Sequence, residues 1–186
     1  MTYGGRSWRD QDDLGEMAAV LSVMRQLHEM LAHLTEVQRR TPHPDAEAMR
    51  TELLALTHTQ PVTLLTADID EVRDRVSREL RQATVRLHGA SRPMPHDLAG
   101  ADLQGRDLTR GDLRGASLIA CDLRDADLSR ADLLGADLRD ADVRGAKLGE
   151  AWFVSQAQLN TSRGDDRTTV PGHLTRPTHW EPRSTR

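Results

Sequence analysis

The stretch DADLSRADLLGADLRDADVRGAKL, residues 125–148, places an aliphatic side chain at every fifth position: Leu128, Leu133, Leu138, Val143 and Leu148. A helix repeats about every 3.6 residues and a strand about every 2, so neither produces this spacing. Counting outward by fives reaches Leu98, Leu103, Leu108, Leu113, Leu118 and Leu123 on one side and Phe153 on the other. Two residues before most centres the side chain is small, as at Ala101, Gly111, Ala116, Cys121, Ala126, Ala131, Ala136, Ala141, Ala146 and Ala151. The residue just before the centre is nearly always Asp. Twelve matches in a row across 96–155 exclude coincidence.

This pattern resembles the pentapeptide-repeat family, whose consensus is A(D/N)Lxx, in its actinobacterial type with an N-terminal helical region. The resemblance implies a mainly β fold, a right-handed quadrilateral β-helix with five residues per side and four sides per coil. Residues 96–155 would then form about three coils. Such a solenoid stacks each repeat on its neighbours and closes one core along its axis. Each side turns one large and one small side chain inward, so Leu and Ala fill a narrow tube. Phe153 is the largest centre and comes last, suiting a lid over the final coil. His96 and Arg106 occupy small inward slots and are expected to tilt out at an open end beside the helical region. Lys147 and Trp152 replace Asp on the surface.

Working outward, the stretch at 91–95, SRPMP, reads as a rigid joint. Residues 14–90 read as a helical hairpin or bundle. A first helix covers about 14–40, and the TPHP at 41–44 ends it because proline disfavours helix before it and lacks a donor. A second spans 45–59 with Ala46, Met49, Leu53 and Leu56 on one face. A third runs over 68–88, opened by Asp68 and Glu71 in a capping-box pattern and stopped by Gly89. On the first helix, Val20, Val23, Leu27, Met30, Leu34 and Val37 form a coiled-coil-like seam. Met17, Leu21, Met24 and Leu31 widen that arc, so the region is expected to oligomerise as a homodimer. Residues 1–13 read as a flexible N-terminus.

Residues 156–186 read as a capping helix and a tail. Ser155 and Gln158 match a capping box, and a helix over 156–163 ended by Gly164 would cover the sheet edges. Leu134 and Val154 share one outward column with Trp152 beside them. Three apolar groups on a solvated side need a cover, and residues 165–180, anchored by Leu174 and Trp180, are expected to lie over that side.

The chain has 29 acidic and 25 basic side chains, a net charge of −4, which favours neither a direct nucleic-acid binder nor a membrane-surface protein. No stretch is long and apolar enough for a membrane span. The opening MTYGGRSWRD lacks the pattern of a secretion signal, so a cytoplasmic protein is expected. One cysteine, Cys121, precludes an internal disulfide framework.

No catalytic chemistry emerges. The tube offers no concave site, and Asp at the consensus position serves the adjacent turns. His28 and His33, five apart, face different sides of a helix, so no metal pair forms there. Cys121 sits in a small inward slot and reads as an inert packed thiol. Arg163-Gly164-Asp165 spells an adhesion tripeptide by chance. No cofactor, metal or enzymatic activity is expected.

Two functional expectations follow. The first is an interaction or scaffold module whose helices oligomerise and whose short solenoid presents a rigid face to another protein. The candidate face carries Asp102, Asp122 and Asp142 stacked, with Arg124 and Arg144 on the same side. The second is implied by the resemblance: some family members mimic B-form DNA and bind DNA gyrase or topoisomerase IV, conferring resistance to quinolones or peptide toxins. The match to that mimicry is partial, because 96–155 holds 12 acids against 8 bases and the arginines stand among the aspartates.

Overall fold

The computed structural model describes residues 14–180, so the N-terminal stretch 1–13 expected to be flexible, and the tail beyond Trp180, lie outside the described residues. The described chain falls into two compact units that divide between Leu87 and His88.

The first unit is helical: α1 Leu14–Arg40, α2 Pro44–Thr57, α3 Pro61–Thr66 and α4 Ile69–His88. Proline at the first helical position starts both α2 and α3, where its missing N–H removes nothing. The short α3 was not expected from the sequence, because six residues are too few to show a helical period. Asp68 caps α4 by accepting the Glu71 N–H at 2.9 Å. Arg73 bonds to Gln26 on α1. Arg75 makes two bonds to Glu52, at 2.8 and 2.7 Å, tying α4 to α2.

The α1 seam is filled within one chain. Val20, Leu27, Met30, Leu34 and Val37 are all buried, and Val23 is half-buried. The seam expected to join two copies is thus largely covered by the chain's own helices, Val23 excepted. Side chains without exposed surface in a single chain have no area left for a partner. On the flank, Leu21 alone is well exposed, at 64%, while Leu31 is buried and Met17 and Met24 are half-buried. Among the described residues no helix is long and apolar enough to cross a membrane.

The second unit is the solenoid. Parallel bridges join residues twenty apart: Asp97, Ser117 and Asp137 on one side, and Asp102, Asp122 and Asp142 on the next. Asp107, Asp127 and Lys147 stack on the third side, and Asp112, Asp132 and Trp152 on the fourth. Each corner is a turn closed by one backbone bond, such as Ala126 N to Leu123 O at 3.1 Å. From Gly100 to Gly145 the fifth residue of each repeat takes a positive φ, as the third position of a type II turn requires. Glycine meets this freely at Gly115 and Gly135, whereas Ala120, Asp125, Arg130 and Asp140 accept it at some steric cost. Inside, Leu113 to Leu148 and their small partners are essentially without exposed surface.

The solenoid begins earlier and ends later than the period of five indicates. Arg92–Pro93 forms β1 and pairs in parallel with β2, Gly111–Asp112, so the expected joint is the first strand. Prolines are tolerated there because an edge strand has no further neighbour to serve. Met94 packs against the tube's core. His96 and Arg106 are exposed, and the first centres Leu98 and Leu103 only half-buried.

At the far end, α5 (Gln156–Thr161) carries a complete capping box with Ser155, and the Gln158 amide also donates to the carbonyls of Leu133 and Ala136, each at 2.9 Å. The chain then rejoins the ladder, with Arg163 beside Asp142 and Thr169 beside Lys147. The offset grows from 20 to 21 and then 22 as α5 and the following turn each add a residue. Gly164 therefore stands in register with Val143, a centre without a side chain. The Trp180 indole lies over it, and its Nε1 donates to Ser162 O at 3.0 Å. Trp180 and Leu174 pack on the tube's core. The tail thus plugs the end of the tube, with Trp180 over Gly164 and Thr175 bonded twice to Gln156 beside the buried Val154.

Phe153 also departs from expectation. Its φ is +59°, and its ring lies 5.3 Å from Trp152 and 5.8 Å from the outward-facing Arg114 guanidinium. Val154 joins the core cluster instead. The local flip moves the inward position by one residue just before the capping box.

Two outcomes follow. Leu27→Asp places an unpaired charge in the helical core, so it unfolds that unit, at a cost of about 4 kcal/mol or more. Light scattering on the unmutated protein should read a monomer at tens of micromolar; a dimer that Leu27→Asp merely splits would contradict the assignment. Gly164→Ala adds a Cβ that overlaps the Trp180 indole. It should expel the plug, raise hydrophobic-dye binding and lower the solenoid's stability by up to about 3 kcal/mol in urea titration.

Candidate interaction faces of the solenoid

The consensus aspartates first serve the fold. Each of Asp97, Asp102, Asp107, Asp122, Asp127, Asp132, Asp137 and Asp142 accepts the backbone N–H two residues on, at 2.9–3.2 Å. One carboxylate oxygen of every such residue is therefore engaged in its own corner.

The second oxygen is where the faces differ. On the side bearing Asp102, Asp122 and Asp142, Arg124 bonds Asp122 through both Nε and Nη2, the closest at 2.5 Å. Arg144 repeats this on Asp142, one coil further on. Arg124 also reaches Gln104 at 3.1 Å in the coil before. The Arg124 hydrogen bonds hold the Asp122 carboxyl below the usual carboxylate range. Four of the five residues singled out as a partner face thus come together as a paired ladder, two ion pairs one coil apart, and Asp102 accepts the Gln104 N–H at the start of the same column. Beyond it, Arg167 bridges Asp125 and Asp165. A neighbouring side repeats the device with Arg139 on Asp137, and on the third side Lys147 reaches across one coil to Asp127. Ser129 and Lys147 together bring Asp127 down to about 2.

The fourth side behaves differently. Asp132 is buried, and Arg114, itself largely buried, holds it at 2.6 Å. Burial pushes the Asp132 carboxyl up, against the opposing pull of Arg114. Of the three residues expected as an exposed apolar patch, Trp152 and Val154 are buried and Leu134 is half-buried. The Arg114–Asp132 pair was missed in the sequence. Its signal was the column Asp112, Asp132, Trp152, where an indole in an aspartate column marks a side withdrawn from water.

The remaining chemistry-bearing residues singled out on the solenoid, Cys121 and the Arg163-Gly164-Asp165 triplet, sit in its packing and ladder. Cys121 is buried, donates to Ala101 O at 3.1 Å, and is pushed up to about 11 by burial. In the Arg163-Gly164-Asp165 tripeptide the glycine lies under Trp180 and Asp165 accepts from Gly145 N at 2.9 Å, so the triplet is a ladder segment. The tube interior is filled by leucine, alanine and other small or aliphatic side chains.

A family model described as pentapeptide repeats matches residues 97–133 and 116–153, with eight copies. The uncharacterized protein YybG of Bacillus subtilis (strain 168) is 43% identical over 194 residues, spanning 97% of this chain and 70% of that one. Among solved structures, a pentapeptide repeat protein from the cyanobacterium Cyanothece 51142 is 31% identical over 42% of this chain, with a TM-score of 0.38. HetL, a pentapeptide repeat protein involved in heterocyst differentiation regulation from Nostoc sp. strain PCC 7120, is 32% identical over 41% of this chain, with a TM-score of 0.33. This chain spans 53% of the first structure and 35% of the second.

The two kinds of ion pair should separate on mutation. Arg114→Ala strands a buried carboxylate and is expected to cost about 3–5 kcal/mol. Arg124→Ala opens a pair at the surface and should cost under about 1 kcal/mol. Equal losses in urea titration would contradict the distinction. Cys121 should resist thiol reagents at pH 8 in the folded protein and react fully once unfolded; rapid labelling of the native chain would refute its buried placement.

Proposed function

From the premise that this chain belongs to the pentapeptide-repeat family, we propose that it is a non-enzymatic interaction module whose solenoid binds another protein through the Asp102, Asp122, Asp142, Arg124 and Arg144 side. The observation that carries this reading is the paired ladder itself. Asp122, Arg124, Asp142 and Arg144 are each already held by two or more bonds, and Asp102 by one, so docking a partner costs little further side-chain entropy. Successive coils stand about 4.8 Å apart, giving a flat surface of alternating charge that suits a protein face of the opposite alternation.

The alternative, mimicry of DNA toward gyrase or topoisomerase IV, needs a face of uncompensated negative charge. Arg124 and Arg144 cancel the aspartates they hold, and screening over about 8 Å at physiological salt removes most of the remainder. The ladder therefore favours the first reading.

A photo-crosslinker at position 104, beside Arg124, should capture one dominant protein in cells of the source organism. Exchanging a pair, Asp122→Arg with Arg124→Asp, preserves net charge and reverses the local pattern. It should weaken binding of the purified partner about tenfold or more, with circular dichroism checking that the solenoid tolerates loss of the single Asp122 corner bond. Unchanged affinity would remove this face from the interaction, and inhibition of gyrase supercoiling by the unmutated protein would establish the alternative.

A further inference from the structure

We propose that His43, Asp45 and Glu79 form a binding site for a divalent transition-metal ion, zinc being the one their ligand atoms suit best. One ligand atom from each lies within 4.8 Å of the other two. Zinc bonds of about 2.0–2.2 Å to nitrogen and oxygen put neighbouring ligand atoms roughly 3.5 Å apart. His43 Nδ1 and Asp45 Oδ2 already stand at 3.6 Å. A modest side-chain rotation brings the Glu79 carboxylate into the same shell.

The site is held from several directions. His43 caps the N-terminus of α2, and Gln38 clamps its backbone twice, accepting its N–H at 3.0 Å and donating to its carbonyl at 2.8 Å. The ring itself is lightly engaged, because Nδ1 accepts only a long 3.4 Å bond from the Asp45 N–H. Glu79 comes from α4 and is buried, with Arg86 holding its Oε1 at 2.5 Å and leaving Oε2 for an ion.

Charge favours the assignment. Two carboxylates converge on one spot, and Arg86 offsets only one of them. The α2 N-terminus opposes a cation, but only by the partial charge of a helix dipole, against two full carboxylate charges. A buried carboxylate with one partner gains strongly from a second. One imidazole with two carboxylates is a borderline-to-hard set, which suits zinc and disfavours ions that demand thiolate. Such an ion would clip the start of α2 to the middle of α4 and stabilise the helical unit through binding. The sequence gives no metal signature here, because Glu79 lies far along the chain from His43 and Asp45.

The test uses the full-length protein, freed of metal by a chelator and titrated with zinc chloride in a calorimeter. One saturable equivalent is expected, with a rise in the melting temperature of the helical unit. Cobalt(II) in place of zinc should give the visible absorption of a low-coordinate site. His43→Ala and the exposed Asp45→Asn should each weaken zinc binding about tenfold or more, while a control with His58→Ala and His173→Ala should match the unmutated protein. Circular dichroism confirms that each variant is helical. Absence of saturable binding, binding that survives His43→Ala, or binding lost in the control would each overturn the proposal.

Discussion

Everything in the solenoid depends on how five residues turn one corner. Two side chains must point inward, and from Gly100 to Gly145 the fifth residue takes a left-handed φ, so each side offers one large and one small slot to the core. Leucine and alanine fill those slots, and each buried Leu contributes about 1.5–3 kcal/mol. The consensus aspartate then locks the corner from outside by accepting the backbone N–H two residues on. Because the core needs no other side chain, the outward positions are released from packing. That release is what leaves the surface open to functional variation.

A solenoid must also finish, and here two devices divide the work. Gln158 completes the capping box of α5 while its amide satisfies two carbonyls of the coil beneath. Gly164 leaves a centre empty and Trp180 fills it from sixteen residues downstream. The two together close the end against the edge pairing that bare strands invite. The opposite end keeps half-buried leucines and a proline-bearing first strand.

The period of five made the tube legible, because inward slots recur only if every repeat obeys the same geometry. The capping box at Ser155 and the anchoring role of Trp180 were also readable, since each has a local pattern or a conspicuous apolar side chain. The ladder beyond residue 155 was not, because α5 and the next turn shift the register and glycine replaces the leucine. The α1 seam shows a different limit. Its apolar spacing was plain, yet spacing alone does not say whether the covering helix comes from the same chain. Trp152 and Asp132 illustrate the same limit on the solenoid, where burial of an outward column depends on contacts that a repeat pattern does not encode.

The central claim is that the paired ladder is a surface fixed before any partner arrives. Nitrogen-15 relaxation of the arginine Nε–Hε groups measures this in the free protein. Arg124 and Arg144, each chelating the aspartate two residues before it, should show order parameters close to the rigid-backbone value of about 0.85. Values below about 0.6 for both would mean that the ladder is mobile and that the proposed face is not preorganised.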